Sequence, residues 1–233
     1  MTGTILYDSN DIGKWNDGTV KVVTEFDDRF PEPFENGKGF VMAASGKPRL
    51  KLDGTGIGTL EADKGHGRMY IDSVNYKAIT EYELRFNDDK IDTHTCQTQS
   101  RHQEGGDGPN RFGGISHMID RKKKKCGSKL EKFHNVHIKG LEPKLPQPIE
   151  IGQWIKVRLT DIPDEEEKSI SSKIEIDFND GNGFVECVEK KYTKLENYMV
   201  DKDSFKERSY TWFRVNNKKT GSISIRNIKQ TSI

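Results

Sequence analysis

Between residues 91 and 101, Gln97, Gln99 and Arg101 recur at every second position. In an extended strand such residues share one face. His102 and Glu104 follow, then the glycine-rich stretch 105–111, then Gly113-Gly114 leading to His117. Farther on, Asn135 and His137 are two apart, with His134 on the other parity. Tyr70 lies upstream, and Tyr210, Trp212 and Arg214 recur at period two downstream. All of the six histidines except His66 fall between residues 94 and 137.

These residue types suit a polar, partly anionic ligand. Arginine pairs bidentately with a carboxylate. Glutamine and asparagine exchange hydrogen bonds with hydroxyls. A neutral imidazole takes up a proton near neutral pH. Gln97, Gln99, Arg101, His102 and Asn135 are therefore candidate ligand-binding residues. Tyr210, Trp212 and Arg214 join them, with rings to stack on a sugar and a guanidinium to read its rim. If the ligand is a uronate, Arg101 and Gln99 would neutralise its carboxylate. His117, His137 or Tyr70 would then remove the C5 proton in a β-elimination. The alternative for each histidine is a satisfied structural hydrogen bond, and for Tyr210 and Trp212 packing beneath the segment 191–207. Glu81 and Glu83 form the one tidy carboxylate pair, and Arg85 beside them points to a structural ion pair.

Such a face needs strands to carry it, and the chain offers them throughout. Short alternating segments occur at 3–7, 19–26, 38–44, 48–53, 56–62, 68–74, 77–87, 91–101, 112–120, 130–138, 153–161, 170–178, 184–190, 209–216 and 221–229. They are rich in Val, Ile, Thr and aromatic residues and are separated by Gly, Asn, Asp and Pro. No long stretch sustains a helical period; at most one helical turn is expected within 191–207. In 153–161, Ile155, Val157 and Leu159 take one face and Trp154, Lys156 and Arg158 the other. In 209–216, Thr211, Phe213 and Val215 oppose Tyr210, Trp212 and Arg214. A sheet with one wet face has this pattern. Asn179-Asp180-Gly181-Asn182-Gly183 reads as a hairpin, since these residues tolerate positive φ; an EF-hand loop fails at Gly181 and lacks the closing Glu. The basic run 121–125 reads as a solvated hairpin tip. The fold class expected is all-β, a two-sheet antiparallel β-sandwich or jelly roll, with residues 1–233 as a single domain.

Composition narrows the partners. The 233 residues carry 38 Lys and Arg against 37 Asp and Glu, a net charge of +1. That balance gives no electrostatic pull toward nucleic acid, and no such partner is expected. No apolar run approaches the ~20 residues of a membrane helix, and residues 1–8 do not resemble a signal peptide. The three cysteines, Cys96, Cys126 and Cys187, are too few and too scattered for a disulfide framework or a zinc site. No metal and no cofactor is expected. Oligomeric state and compartment are not legible.

From Lys38 onward the layout resembles the concanavalin A-like jelly-roll superfamily, which includes lectins, laminarinase-type glucanases, alginate-type polysaccharide lyases and carbohydrate-binding modules. The residues that carry the likeness are Gly152-Gln153-Trp154-Ile155-Lys156-Val157, the hairpin around Gly181, Tyr210-Thr211-Trp212-Phe213-Arg214 and Ser224-Ile225-Arg226-Asn227-Ile228. The glucanase E-x-D-x-x-E run is absent. So are the lyase strands R-x-E-x-R, Q-I-H and Y-x-K-x-G-x-Y; Gln99-Ser100-Arg101-His102 and Gly113-Gly114-Ile115-Ser116-His117 are only loosely similar to two of them. The resemblance thus implies carbohydrate recognition, with a polysaccharide or oligosaccharide as partner. A uronate lyase is the alternative, and a coat-type jelly roll without a ligand site is a second one.

Overall fold

The computed structural model describes residues 5–8, 20–23, 40–45, 49–52, 57–62, 66–71, 78–89, 95–99, 114–131, 137–164, 166–193, 211–216 and 221–233. The described residues form strands and turns, with no helix among them. Hence no helix there is long and apolar enough to cross a membrane.

The first sheet runs, in spatial order, β14 (Phe184–Tyr192), β13 (Ser169–Asp177), β12 (Trp154–Asp164), β7 (Ala78–Phe86), β16 (Gly221–Ser232), β5 (Gly58–Ala62) and β4 (Arg49–Leu52). Strand β1 (Ile5–Asp8) pairs with the far end of β16. The second sheet runs β11 (His137–Leu141), β10 (Lys125–Glu131), β9 (Gly114–Asp120), β8 (Thr95–Gln99), β15 (Thr211–Asn216), β6 (His66–Ile71), β3 (Phe40–Ser45) and β2 (Val20–Val23). Neighbouring strands are antiparallel except β2 and β3, which pair parallel. The connection 24–39 is long enough for the crossover a parallel pair requires. The chain is therefore an all-β, two-sheet sandwich.

Alternation decides which side of each strand is buried. Along β7, Ala78, Thr80, Tyr82, Leu84 and Phe86 are buried, and the residues between them are half-buried. Along β12, Ile155, Val157 and Leu159 turn inward while Trp154, Lys156 and Arg158 turn outward, as their spacing predicts. These inner faces meet Phe213, Ile119 and Cys126 of the second sheet in one apolar cluster. The Tyr82 and Phe213 rings touch edge to face at 4.9 Å, joining the layers. Burying a side chain such as Phe213 contributes about 1.5–3 kcal/mol.

The interior changes character toward one end. There Thr80 accepts a 2.9 Å hydrogen bond from Gln230 Nε2, and His117, Ser128, Asp161 and Ser172 are buried.

Two turns match the sequence reading. Asn179, Gly181 and Gly183 all have positive φ in the 179–183 hairpin. Residues 121–124 form the β9–β10 turn, with Lys124 at φ 53° and Lys122, Lys123 and Lys124 exposed. One expected strand is corrected. The segment 130–138 is not continuous: Glu131 ends β10 and His137 begins β11, and the two are cross-strand partners. Its polar run lacks the alternation that would have marked the break. The expected helical turn lies mostly in 194–210, outside the described residues.

Candidate functional site

Register assembles the candidate face on the second sheet. Phe213 is 0% exposed and fixes the inward parity of β15. Trp212 and Arg214 flank it and belong to the opposite face. Trp212 pairs with Tyr70 on β6 and with Gln99 on β8, and Gln99 pairs with Ser116 on β9. Tyr70, Trp212, Gln99 and Ser116 thus form one cross-strand row. It covers three inter-strand spacings, about 14 Å. The adjacent row is Arg68, Arg214, Gln97 and Met118. Met118 is half-buried on this face, whereas Ile115, His117 and Ile119 on the other are buried.

His137 joins the same face from farther along. It pairs with Glu131, which pairs with Gly114, two residues before Ser116. One sheet face therefore gathers Tyr70, Gln97, Gln99, Trp212, Arg214 and His137. Arg101, His102, Asn135, Tyr210 and the glycine-rich loop lie outside the described residues.

His117 goes elsewhere, which corrects its place among the candidate bases. It pairs with Thr98 and with Ser128, on the parity of Phe213. Its ring is 2% exposed and enters the layer between the sheets. There Nε2 lies 3.3 Å from Asp161 Oδ1 and 3.1 Å from Ser172 Oγ. An ionised carboxylate only accepts, so a bond to ionised Asp161 requires the tautomer with its hydrogen on Nε2. Ser172 Oγ is 3.3 Å from Ser128 Oγ, which is 2.8 Å from the Tyr192 hydroxyl. Burial pushes the Tyr192 hydroxyl up to about 12.

Histidine, aspartate and serine are the types of a nucleophilic triad, but this geometry is not one. A triad histidine meets the acid through one nitrogen and the nucleophile through the other. Here Asp161 and Ser172 meet the same nitrogen, and all three residues are buried. The cluster acts as a polar clasp between sheets. As placed, His117 has no open path to a substrate proton.

Glu81 and Glu83 do form ion pairs, though not with Arg85. Glu81 Oε1 accepts from Arg158 Nε at 2.8 Å, and Glu83 Oε2 accepts from Arg226 Nε at 2.7 Å. Their partners stand directly across the strand pairs β7–β12 and β7–β16. Arg85, two residues on, is hidden from Glu83 in energetic terms because a cross-strand neighbour at the same level competes better. Among the described residues, no three His, Cys, Asp or Glu side chains converge as a metal site would require. Cys126 is buried in the core with Cys187 packed against the same cluster, and the Cys187 thiol and burial both push the Cys126 thiol up.

No family model matches the sequence, and no curated protein matches it. Solved structures do. The chain is similar to the carbohydrate-binding module CBM66 from Bacillus subtilis, at 12% identity and a TM-score of 0.54, over 82% of this chain and 95% of that one. It is similar to the exoplasmic/lumenal domain of VIP36 in its Ca2+/Man2-bound form, at 7% identity and a TM-score of 0.56, over 83% and 81% of the two chains. It is also similar to the metal-free carbohydrate recognition domain of Emp46p, at 13% identity and a TM-score of 0.52, over 83% and 88%. At such identities the likeness concerns architecture: the chain shares the two-sheet β fold of these domains.

Proposed function

We propose that this chain is a concanavalin A-like jelly roll, one domain over residues 1–233, that recognises carbohydrate. The ligand is an acidic or hydroxyl-rich polysaccharide lying along the face of Tyr70, Trp212 and Gln99, with Arg214 and Gln97 in the next row. The observation that supports this most is the cross-strand register of those residues on the parity opposite Phe213. Aromatic rings stack on the apolar face of a pyranose, amides pair with its hydroxyls, and a guanidinium pairs with a carboxylate. The fold of domains described as a carbohydrate-binding module and a carbohydrate recognition domain lends further support.

The test is a panel of neutral and acidic polysaccharides titrated against the wild type and Trp212→Ala. Binding to at least one glycan, weakened about tenfold or more in the variant (~1.4 kcal/mol), is the expected result. Binding by both proteins with equal affinity, or by neither, overturns the reading. Unsaturated product is followed by absorbance in the same samples; turnover would replace recognition by β-elimination.

A further inference from the structure

The outer face of the first sheet carries a second arrangement, with side chains fully described. Arg85 on β7 stands directly between Ser224 of β16 and Trp154 of β12. Its Nε donates to Asn87 Oδ1 at 3.0 Å and its Nη2 to Ser224 Oγ at 3.3 Å. Asn87 Nδ2 in turn donates to Ser222 Oγ at 3.1 Å and Ser224 Oγ at 3.0 Å, and Thr59 Oγ1 lies 3.0 Å from Ser224 Oγ. Every polar partner of the guanidinium is neutral.

The other arginines whose side chains are described differ. Arg158 holds Glu81, Arg226 holds Glu83, and Arg121 holds Asp89. Among the described residues, no carboxylate is paired to Arg85. The nearby carboxylates are engaged: Glu83 by Arg226 and Asn227, and Asp88 by the Ser222 N–H and hydroxyl. Arg85 also shares its aromatic neighbour with a like charge. Its guanidinium carbon is 4.6 Å from the Trp154 ring centroid, and that of Arg226 is 4.1 Å away. Two cations on one indole repel, and Glu83 compensates one of them.

The geometry points to an oxyanion site at Arg85, taking the carboxylate or sulfate group of an acidic ligand. Hydrogen bonds to Asn87 and Ser224 hold the guanidinium through its Nε and one Nη2 hydrogen. The remaining Nη hydrogens form the planar fork that matches an oxyanion with two oxygens. The Trp154 ring lies beside the guanidinium, and the bound anion supplies the missing charge between Arg85 and Arg226. The site does not depend on the carbohydrate reading, since it lies on the opposite outer face of the sandwich.

Two probes are used: inorganic sulfate, and a galacturonate trimer set against a neutral glucose trimer. Binding is followed by the Arg85 Nε–H and Trp154 indole N–H resonances. Two variants are made. Arg85→Gln removes the fork. Asn87→Asp keeps the shape but gives Arg85 an internal carboxylate, at the loss of the two bonds that Asn87 Nδ2 donates, so it should close the site. The expected result is that sulfate or the galacturonate trimer moves both resonances in the wild type. The glucose trimer should not, and affinity should fall at least tenfold in either variant. Sulfate alone active means a free anion is sufficient; the trimer alone active means the sugar carboxylate is required. Neither probe moving these resonances, or Asn87→Asp binding like the wild type, overturns the site. Either failure leaves the Trp212 face untouched.

Discussion

His117 and Asp161 face each other across the sandwich, imidazole Nε2 to carboxylate Oδ1 at 3.3 Å, one from each sheet and both almost fully enclosed. Each is backed by a cross-strand partner that is also polar, Ser128 beside His117 and Ser172 beside Asp161. Removing one member of such a buried pair takes a polar contact from the other where water cannot replace it. We expect His117→Ala to destabilise the fold by about 3 kcal/mol or more, measured by urea denaturation. A change within about 0.5 kcal/mol would mean that Asp161 is satisfied without the imidazole.

Tyr192 closes the same cluster. With its hydroxyl raised to about 12 from the ordinary 10, the folded state keeps a proton that the unfolded state gives up. The stabilisation is complete below pH 10 and fades as pH rises through 12. Tyr192→Phe should lower stability near neutral pH by about 1 kcal/mol and flatten the stability profile between pH 10 and 12. An unchanged alkaline slope in the variant would assign that slope to other groups.

Trp212 and Phe213 are sequence neighbours on opposite parities of β15. Phe213→Ala empties a core position and should cost about 3–5 kcal/mol. Trp212→Ala should cost much less and weaken glycan binding instead. Thermal unfolding of the two variants side by side checks this. Equal losses would put both rings in packed surroundings.

If the glycan is acidic, its affinity should fall as salt rises from low to physiological ionic strength, where the screening length shrinks to about 8 Å. Titrations at two salt concentrations decide it. A salt-independent affinity points to recognition by stacking and hydroxyl contacts.

Gly140 has no room for a side chain. A Cβ there would overlap the Ser128 carbonyl on the neighbouring strand. We expect Gly140→Ala to break the β10–β11 pairing, seen as faster amide exchange at Ile138 and Leu141. Unchanged exchange would mean that the edge strand shifts to accommodate the methyl.

Much of the frame was readable from period-two patterns. Ile155, Val157 and Leu159 point inward and Trp154 outward because a half-buried strand leaves no other arrangement. The same parity put Gln97 with Gln99, and Trp212 with Arg214. For His117 the sequence left a catalytic base and a structural hydrogen bond both open, because only the opposing sheet supplies the Asp161 and Ser172 that make it a buried, bonded residue. The Arg85 arrangement was hidden for a related reason. Within β7, Glu83 is the nearer acid in sequence, whereas cross-strand register hands Glu83 to Arg226, far away in the chain.

Strand β16 also governs the order in which the molecule can be assembled. It follows the other described strands in sequence, yet it lies between β7 and β5 and also carries β1. While the ribosome is still making residues 87–220, the edges of β7 and β5 have no partner to complete them. At roughly 5–20 residues per second that wait is on the order of ten seconds. Such long-range closure makes for slow folding. Exposed strand edges in the meantime invite pairing with other chains, so the nascent protein should depend on chaperones far more than the finished one.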